Sequence, residues 1–223
     1  NFYVHCVIYI VNTFFGMVLL FAASIAILVI DFDIEAFFAE FGQLATNAGD
    51  MKLMAAVMVF GYCIMLSTPT AASISLEGKN LWILKSMPIH PKMIFKGKIG
   101  LGLIVTLPLG VVCSVLVYIG LGLTFIQWLI LLAFTISAGF LSSILGLFIN
   151  ILLPKLEFKS PTEVVKQSAS VGVAVFAGMF LVLIPMILGS SLVLSSTSLY
   201  VLVLTGIYTL ITLVLWQYIA TKG

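Results

Sequence analysis

Chemistry in this sequence would have to come from a short list of side chains, beginning with Ser190 in Gly189-Ser190-Ser191. A serine becomes a nucleophile when a sharp turn presents it and a base activates it. Here the spacing is GSS rather than G-x-S-x-G, and no histidine is placed to be the base. His5 and His90 lie far apart in sequence, each at the edge of an apolar stretch, where they read as interfacial side chains rather than metal ligands. Cys6, Cys63 and Cys113 sit in apolar segments with no paired spacing, which makes them small hydrophobes rather than a disulfide or metal site. Asn12, Thr13, Thr68, Thr70, Gln127 and Asn150 converge on no acid–base or nucleophile set. H-E-x-x-H and G-x-x-x-x-G-K-[ST] are both absent, so no metal, cofactor or nucleotide site is expected within the chain. If the protein does work, the energy comes from elsewhere.

The elements that must position these residues are membrane spans. Of 223 residues, 62% are hydrophobic and 8% charged, with a mean hydropathy of +1.29; soluble domains carry about a quarter charged residues. A helix of about 20 apolar residues crosses a bilayer, and the apolar runs lack the period-two alternation of a barrel. The fold class expected is all-α: a single polytopic transmembrane domain over residues 1–223, with six transmembrane helices near 4–30, 51–72, 99–121, 125–153, 171–188 and 199–220. Lys79, Lys85, Lys92, Lys96, Lys98, Lys155, Lys159, Lys166 and Lys222 then share one side, and only Lys52 falls on the other. Lysines of short loops are retained in the cytoplasm, so both termini are expected there. The acidic first link, with Asp31, Asp33, Glu35, Glu40 and Asp50, lies outside. All ten basic residues are Lys; without the arginine fork for phosphate, nucleic-acid binding is set aside.

No charged residue falls mid-span, which argues against an ion-coupled transporter or voltage sensor, and no TVGYG-like filter is present. Ser170, Ala174 and Gly178 repeat at every fourth position, as do Ala138, Ser142 and Gly146; such faces let helices approach closely, and ordinary packing accounts for them. Pro185 is expected to kink the fifth span. The uncharged link that follows, GSSLVLSSTS, either dips back into the membrane or turns at its surface. In the first link, Ile34, Phe37, Phe38 and Phe41 recur at helical spacing opposite Glu35 and Glu40, as in a short helix lying in the outer interface.

The densest charge lies in SISLEGKNLWILKSMPIHPKMIFKGK, residues 73–98, the largest cytoplasmic connection. Asn80 can cap a short helix with Leu81, Trp82, Leu84 and Lys85 that ends before Pro88, and Pro91 can start the helix into the third span. Lysines and an aromatic residue also suit an interfacial belt on anionic lipid, but lipid gives no reason for Glu77-Gly78.

The run S-x-E-G-K-x-x-W-x-L-K-S-x-P, at 75–88, resembles the cytoplasmic segment of ABC-2-type exporter permeases, in particular a branch common in Gram-positive bacteria. LLPKLEFKSPTEVVKQS, at 152–168, resembles the next cytoplasmic loop of the same branch; together the two stretches cover about a seventh of the chain. The resemblance implies a six-helix half-transporter in a bacterial plasma membrane, driven by a separate cytoplasmic ABC ATPase subunit and paired with a second permease half or with its own copy. Glu77, Gly78, Lys79, Trp82, Lys85 and Pro88 would form the coupling element seated in the ATPase, with Pro154, Glu163 and Lys166 in the second cytoplasmic loop. ABC-2 permeases carry an amphipathic helix ahead of the first span, whereas this chain begins almost inside that span, as a fragment or half of a longer permease would. Arg-free, Lys-only usage suits an AT-rich Gram-positive genome.

Set against this exporter subunit, without an ATPase site of its own, are a passive channel, a membrane scaffold and an intramembrane processing enzyme. A span interior without charge favours a hydrophobic or amphipathic cargo for an exporter.

Overall fold

The computed structural model describes residues 14–29, 48–80, 86, 88, 90–157, 164, 168–191 and 196–222. These form six α-helices and no strand: α1 (Phe15–Val29), α2 (Ala48–Leu66), α3 (Pro91–Leu121), α4 (Phe125–Leu152), α5 (Ala169–Ser191) and α6 (Thr197–Lys222), with a short 3-10 helix at Ser75–Asn80. Pro91–Leu121, Phe125–Leu152 and Thr197–Thr221 are long and apolar enough to cross a membrane. Phe15–Val29, Met51–Leu66 and Ala169–Pro185 are shorter apolar helices. A protein with these helices is membrane-embedded, because in lipid the helix satisfies every backbone amide internally. The interfacial helix expected around Ile34 and Phe41 lies outside the described residues, as does most of the link after α5.

Local sequence sets the helix ends. α3 starts at Pro91, which needs no intrahelical donor at that position, and the Nδ1 of His90 accepts from Lys92 N at 3.3 Å. It stops at Gly122, which has φ 61° and donates its N–H to Tyr118 O. Two residues later Thr124 and Gln127 form a reciprocal capping box, so the polar Gln127 opens α4.

α4 is the central helix: most of its apolar stretch is buried, whereas α3 and α6 leave most of theirs exposed. It packs on α2, α3, α5 and α6, and α1 packs on α2 and α3. Consecutive helices run in opposite directions. Met17 N, at the start of α1, donates to Ser67 Oγ just beyond α2. Gly120, late in α3, lies against Ile27, late in α1. Asn150, at the end of α4, reaches Ser170 at the start of α5, and Ile219, late in α6, packs with Ile99 and Leu147. One pole of the bundle therefore gathers the ends that carry Lys92, Lys96, Lys98, Lys155 and Lys222. At the opposite pole Trp128 lies 5.7 Å from Tyr118 and 5.6 Å from Phe125, ring centre to ring centre, and donates to Ser114 Oγ.

The second helix departs from expectation. Hydropathy extends it to residue 72, but α2 ends at Leu66, 67–68 are irregular and 69–74 are turns. Pro69 has no N–H to donate and pushes Thr68 away from helical angles, so the ladder stops in Ser67-Thr68-Pro69. Ser67, Thr68, Thr70, Ala71 and Ala72 are nevertheless all buried. Non-helical backbone is tolerated inside a membrane protein only where protein covers it and supplies its hydrogen bonds.

Candidate functional site

Those hydrogen bonds come from the helix ends at the lysine-bearing pole. Asn150 is the hub: its Oδ1 accepts from Ile74 N at 2.7 Å and Ser75 N at 3.1 Å. Its Nδ2 donates to Ser75 Oγ at 2.7 Å and Ser170 Oγ at 3.0 Å. Ser170 Oγ in turn donates to Ala71 O at 2.8 Å. Higher up, Ser142 Oγ donates to Ser67 O at 2.6 Å, and Thr70 Oγ1 donates to Ser143 O at 2.5 Å. The connection from α2 is thereby fastened to both α4 and α5.

The two stripes of small residues find their use here. A Cβ on Gly146 would come within 2.6 Å of Thr70 Oγ1 and 3.1 Å of Ala71 N, and one on Gly178 within 3.0 Å of Met65 Cβ. Ala174 packs on Ala71. The stripes are therefore the bed for the end of α2 and the irregular backbone beyond it, which is wider at that point than a helix flank.

Lys98, on α3, closes the remaining side. Its Nζ donates to Ser73 O at 2.7 Å and to Glu77 Oε1 at 2.9 Å, with the two side chains only 14% and 34% exposed. Lys98 is thus held inside the loop, and Glu77 has a basic partner within its own chain. Gly78 is buried with φ 49° and ψ −126°, a conformation that a side chain would strain, so the turn requires glycine.

Of the other expected site residues, Lys79 lies in the last part of the 3-10 helix, and Pro88 and Pro154 are exposed. Trp82, Lys85, Glu163 and Lys166 lie outside the described residues. The structure brings together the two stretches on which the family resemblance rests. Lys155 N donates to Ser75 Oγ at 2.9 Å, joining the loop after Pro154 to the 3-10 helix. Val164 is fully buried with Ala72 and Leu76, and Ser168 Oγ shares a 2.5 Å hydrogen bond with Ser170 Oγ.

The residues that do this fastening, Asn150, Ser75, Ser168, Ser170 and Lys98, were not among the expected site residues. Asn150 carried a signal as an amide at the end of an apolar span, where an unpaired polar group is costly. Chemically the cluster is a clamp: the hydroxyls of Ser170, Ser142 and Thr70 donate to backbone carbonyls, and the Asn150 amide is engaged through both its oxygen and its nitrogen. Among the described residues no group of three or more His, Cys, Asp or Glu side chains could hold a metal. No protein-family model, curated protein or solved structure matches this chain.

Proposed function

We propose that this chain is the membrane-spanning permease subunit of an ATP-binding-cassette exporter of the ABC-2 type. It has six spans and both termini in the cytoplasm, and it sits in a bacterial plasma membrane. A separate cytoplasmic ATPase subunit hydrolyses ATP, and the permease, paired with a second copy or half, moves a hydrophobic or amphipathic substrate outward. The lysine-bearing pole is the cytoplasmic one.

The observation that carries this reading is the clamp. A docking element transmits motion only if it is rigid and fixed to the helices that must move. The 3-10 helix Ser75–Asn80 is tied by Asn150 to α4, through Ser170 to α5 and by Lys98 to α3. A push on this connection therefore reaches three helices at once. Within the coupling element Glu77 and Gly78 set the shape, while Trp82 and Lys85, further along the connection, meet the ATPase.

Affinity purification of the full chain in mild detergent tests the reading. A P-loop ATPase is expected to copurify in near-stoichiometric amount. Recovery of intact, folded protein with no nucleotide-binding partner would overturn the exporter assignment in favour of a passive channel or a scaffold.

A further inference from the structure

We propose that α5 is a two-part helix hinged at Leu181–Pro185, and that the hydroxyl of Tyr208 on α6 is the latch that holds its outer part in place. Pro185 lies inside α5 and has no N–H, so the carbonyl of Leu181, four residues earlier, loses its helical donor. Tyr208 fills that vacancy from the neighbouring helix, with Oη donating to Leu181 O at 2.9 Å. One turn further out, the hydroxyl of Tyr200 donates to the carbonyl of Pro185 itself. The two tyrosines on α6 thus serve the two carbonyls at either end of the break.

The ring of Tyr208 alone does not require this hydroxyl. It is 1% exposed and packs 5.5 Å from the ring of Phe134 on α4, a contact phenylalanine would make equally well. A buried phenol needs a polar partner, and the one it has is the carbonyl that Pro185 leaves bare.

The two parts of α5 are held differently. The inner part is fixed by Ser170 on Ala71 and by Gly178 against Met65, and Val182 anchors the hinge between Gly61 and Phe134. Beyond it Ile184 and Ile187 are exposed, and at the break tyrosine hydroxyls serve the carbonyls of Leu181 and Pro185. Breaking those bonds frees the outer part to swing from α6 while the inner part stays seated, which opens the bundle at the pole opposite the clamp. This geometry does not depend on which partner or cargo the protein has.

Pro185 and Tyr208 must then be energetically coupled. Spin labels at Ile126 and Ile187 report on the outer part of α5, and labels at Leu152 and Val173 on the inner part, in full-length protein whose three cysteines are replaced by alanine. Tyr208→Phe should raise the population of a longer 126–187 distance about tenfold and leave the 152–173 distance unchanged. Adding Pro185→Ala restores the missing N–H and should abolish most of that rise. Pro185→Ala alone, which keeps the latch, should slow hydrogen exchange of the amides at 186–189 about tenfold. An unchanged 126–187 distribution in Tyr208→Phe, an equal change in both pairs, no rescue by Pro185→Ala, or no slowing of exchange would each overturn the hinge. If Tyr208→Phe does not fold, Tyr200→Phe is read by the two distances alone: a longer 126–187 distance with an unchanged 152–173 distance supports the hinge, and any other result overturns it.

Discussion

Replacing Asn150 by leucine should lower the thermal unfolding midpoint of the detergent-solubilised protein by about 6–12 °C, and should expose residues 70–80 to proteolysis in the process. Four hydrogen bonds end on this side chain, two from backbone amides and two to serine hydroxyls. Hydrogen bonds inside membrane proteins average about 0.6 kcal/mol, which gives a little over 2 kcal/mol for the set. Leucine also leaves the amides of Ile74 and Ser75 covered and unpaired, a further cost of about 1 kcal/mol or more. A total near 3 kcal/mol converts to the stated shift for a chain of this size. Asn150→Asp, with its carboxyl protonated, keeps the acceptor and one donor in place of the two that reach Ser75 and Ser170, so its loss should be intermediate. A leucine variant melting within about 2 °C of the native protein would mean that the connection after α2 is held by something other than Asn150.

Gly146→Ala should destabilise the protein by about 1 kcal/mol or more, a reversal of the usual sign. In a helix interior alanine is ordinarily favoured over glycine by up to about 1 kcal/mol. At position 146 the new Cβ would lie 2.6 Å from Thr70 Oγ1 and 3.1 Å from Ala71 N. Thr70 cannot simply rotate away, because its hydroxyl is spent on Ser143 O and a β-branched side chain has few rotamers. The backbone at 70–71 would have to move, at a cost of about 1–3 kcal/mol for overpacking. Gly146→Val should be worse still. Gly172 and Gly206 are the internal controls: a Cβ at either meets nothing within 4 Å, so alanine there should be neutral or stabilising. Equal behaviour of all three glycines in reversible unfolding would contradict the close seating of 70–71 on α4.

These two sites show what the sequence discloses and what it hides. Features written in neighbouring residues are legible: Pro91 as the first residue of α3 and the uneven distribution of lysines, which the structure collects at one pole. Hydropathy misleads at 67–74, because Ala71, Ala72 and Ile74 are as apolar as a span while Pro69 breaks the ladder among them; apolarity measures burial and is silent on whether the buried backbone is helical. The stripes through Gly146 and Gly178 have a spacing that predicts close approach, without telling a helix from a folded connection as the thing approached. Glu77 reads as an acid in search of an external partner because its actual partner, Lys98, lies 21 residues away across a chain reversal. The bonds from Asn150 to Ile74 and Ser75 span 76 and 75 residues, and no local pattern encodes them.

The functional claim is that the charged connection after α2 meets an ATPase, and the most direct measurement is photocrosslinking in living cells. A benzophenone amino acid is placed at Trp82, in the expected coupling element, and in a second strain at Thr124, an exposed residue at the opposite pole. A buried aromatic anchor at such an interface typically contributes about 2 kcal/mol or more, so the probe at 82 should sit within reach of its partner for most of the time. The expected result is a covalent adduct at 82 between this chain and a cytoplasmic P-loop ATPase, with none at 124. Intact, membrane-inserted protein that gives no ATPase adduct at 82, or gives the same adduct at both positions, would contradict the assignment.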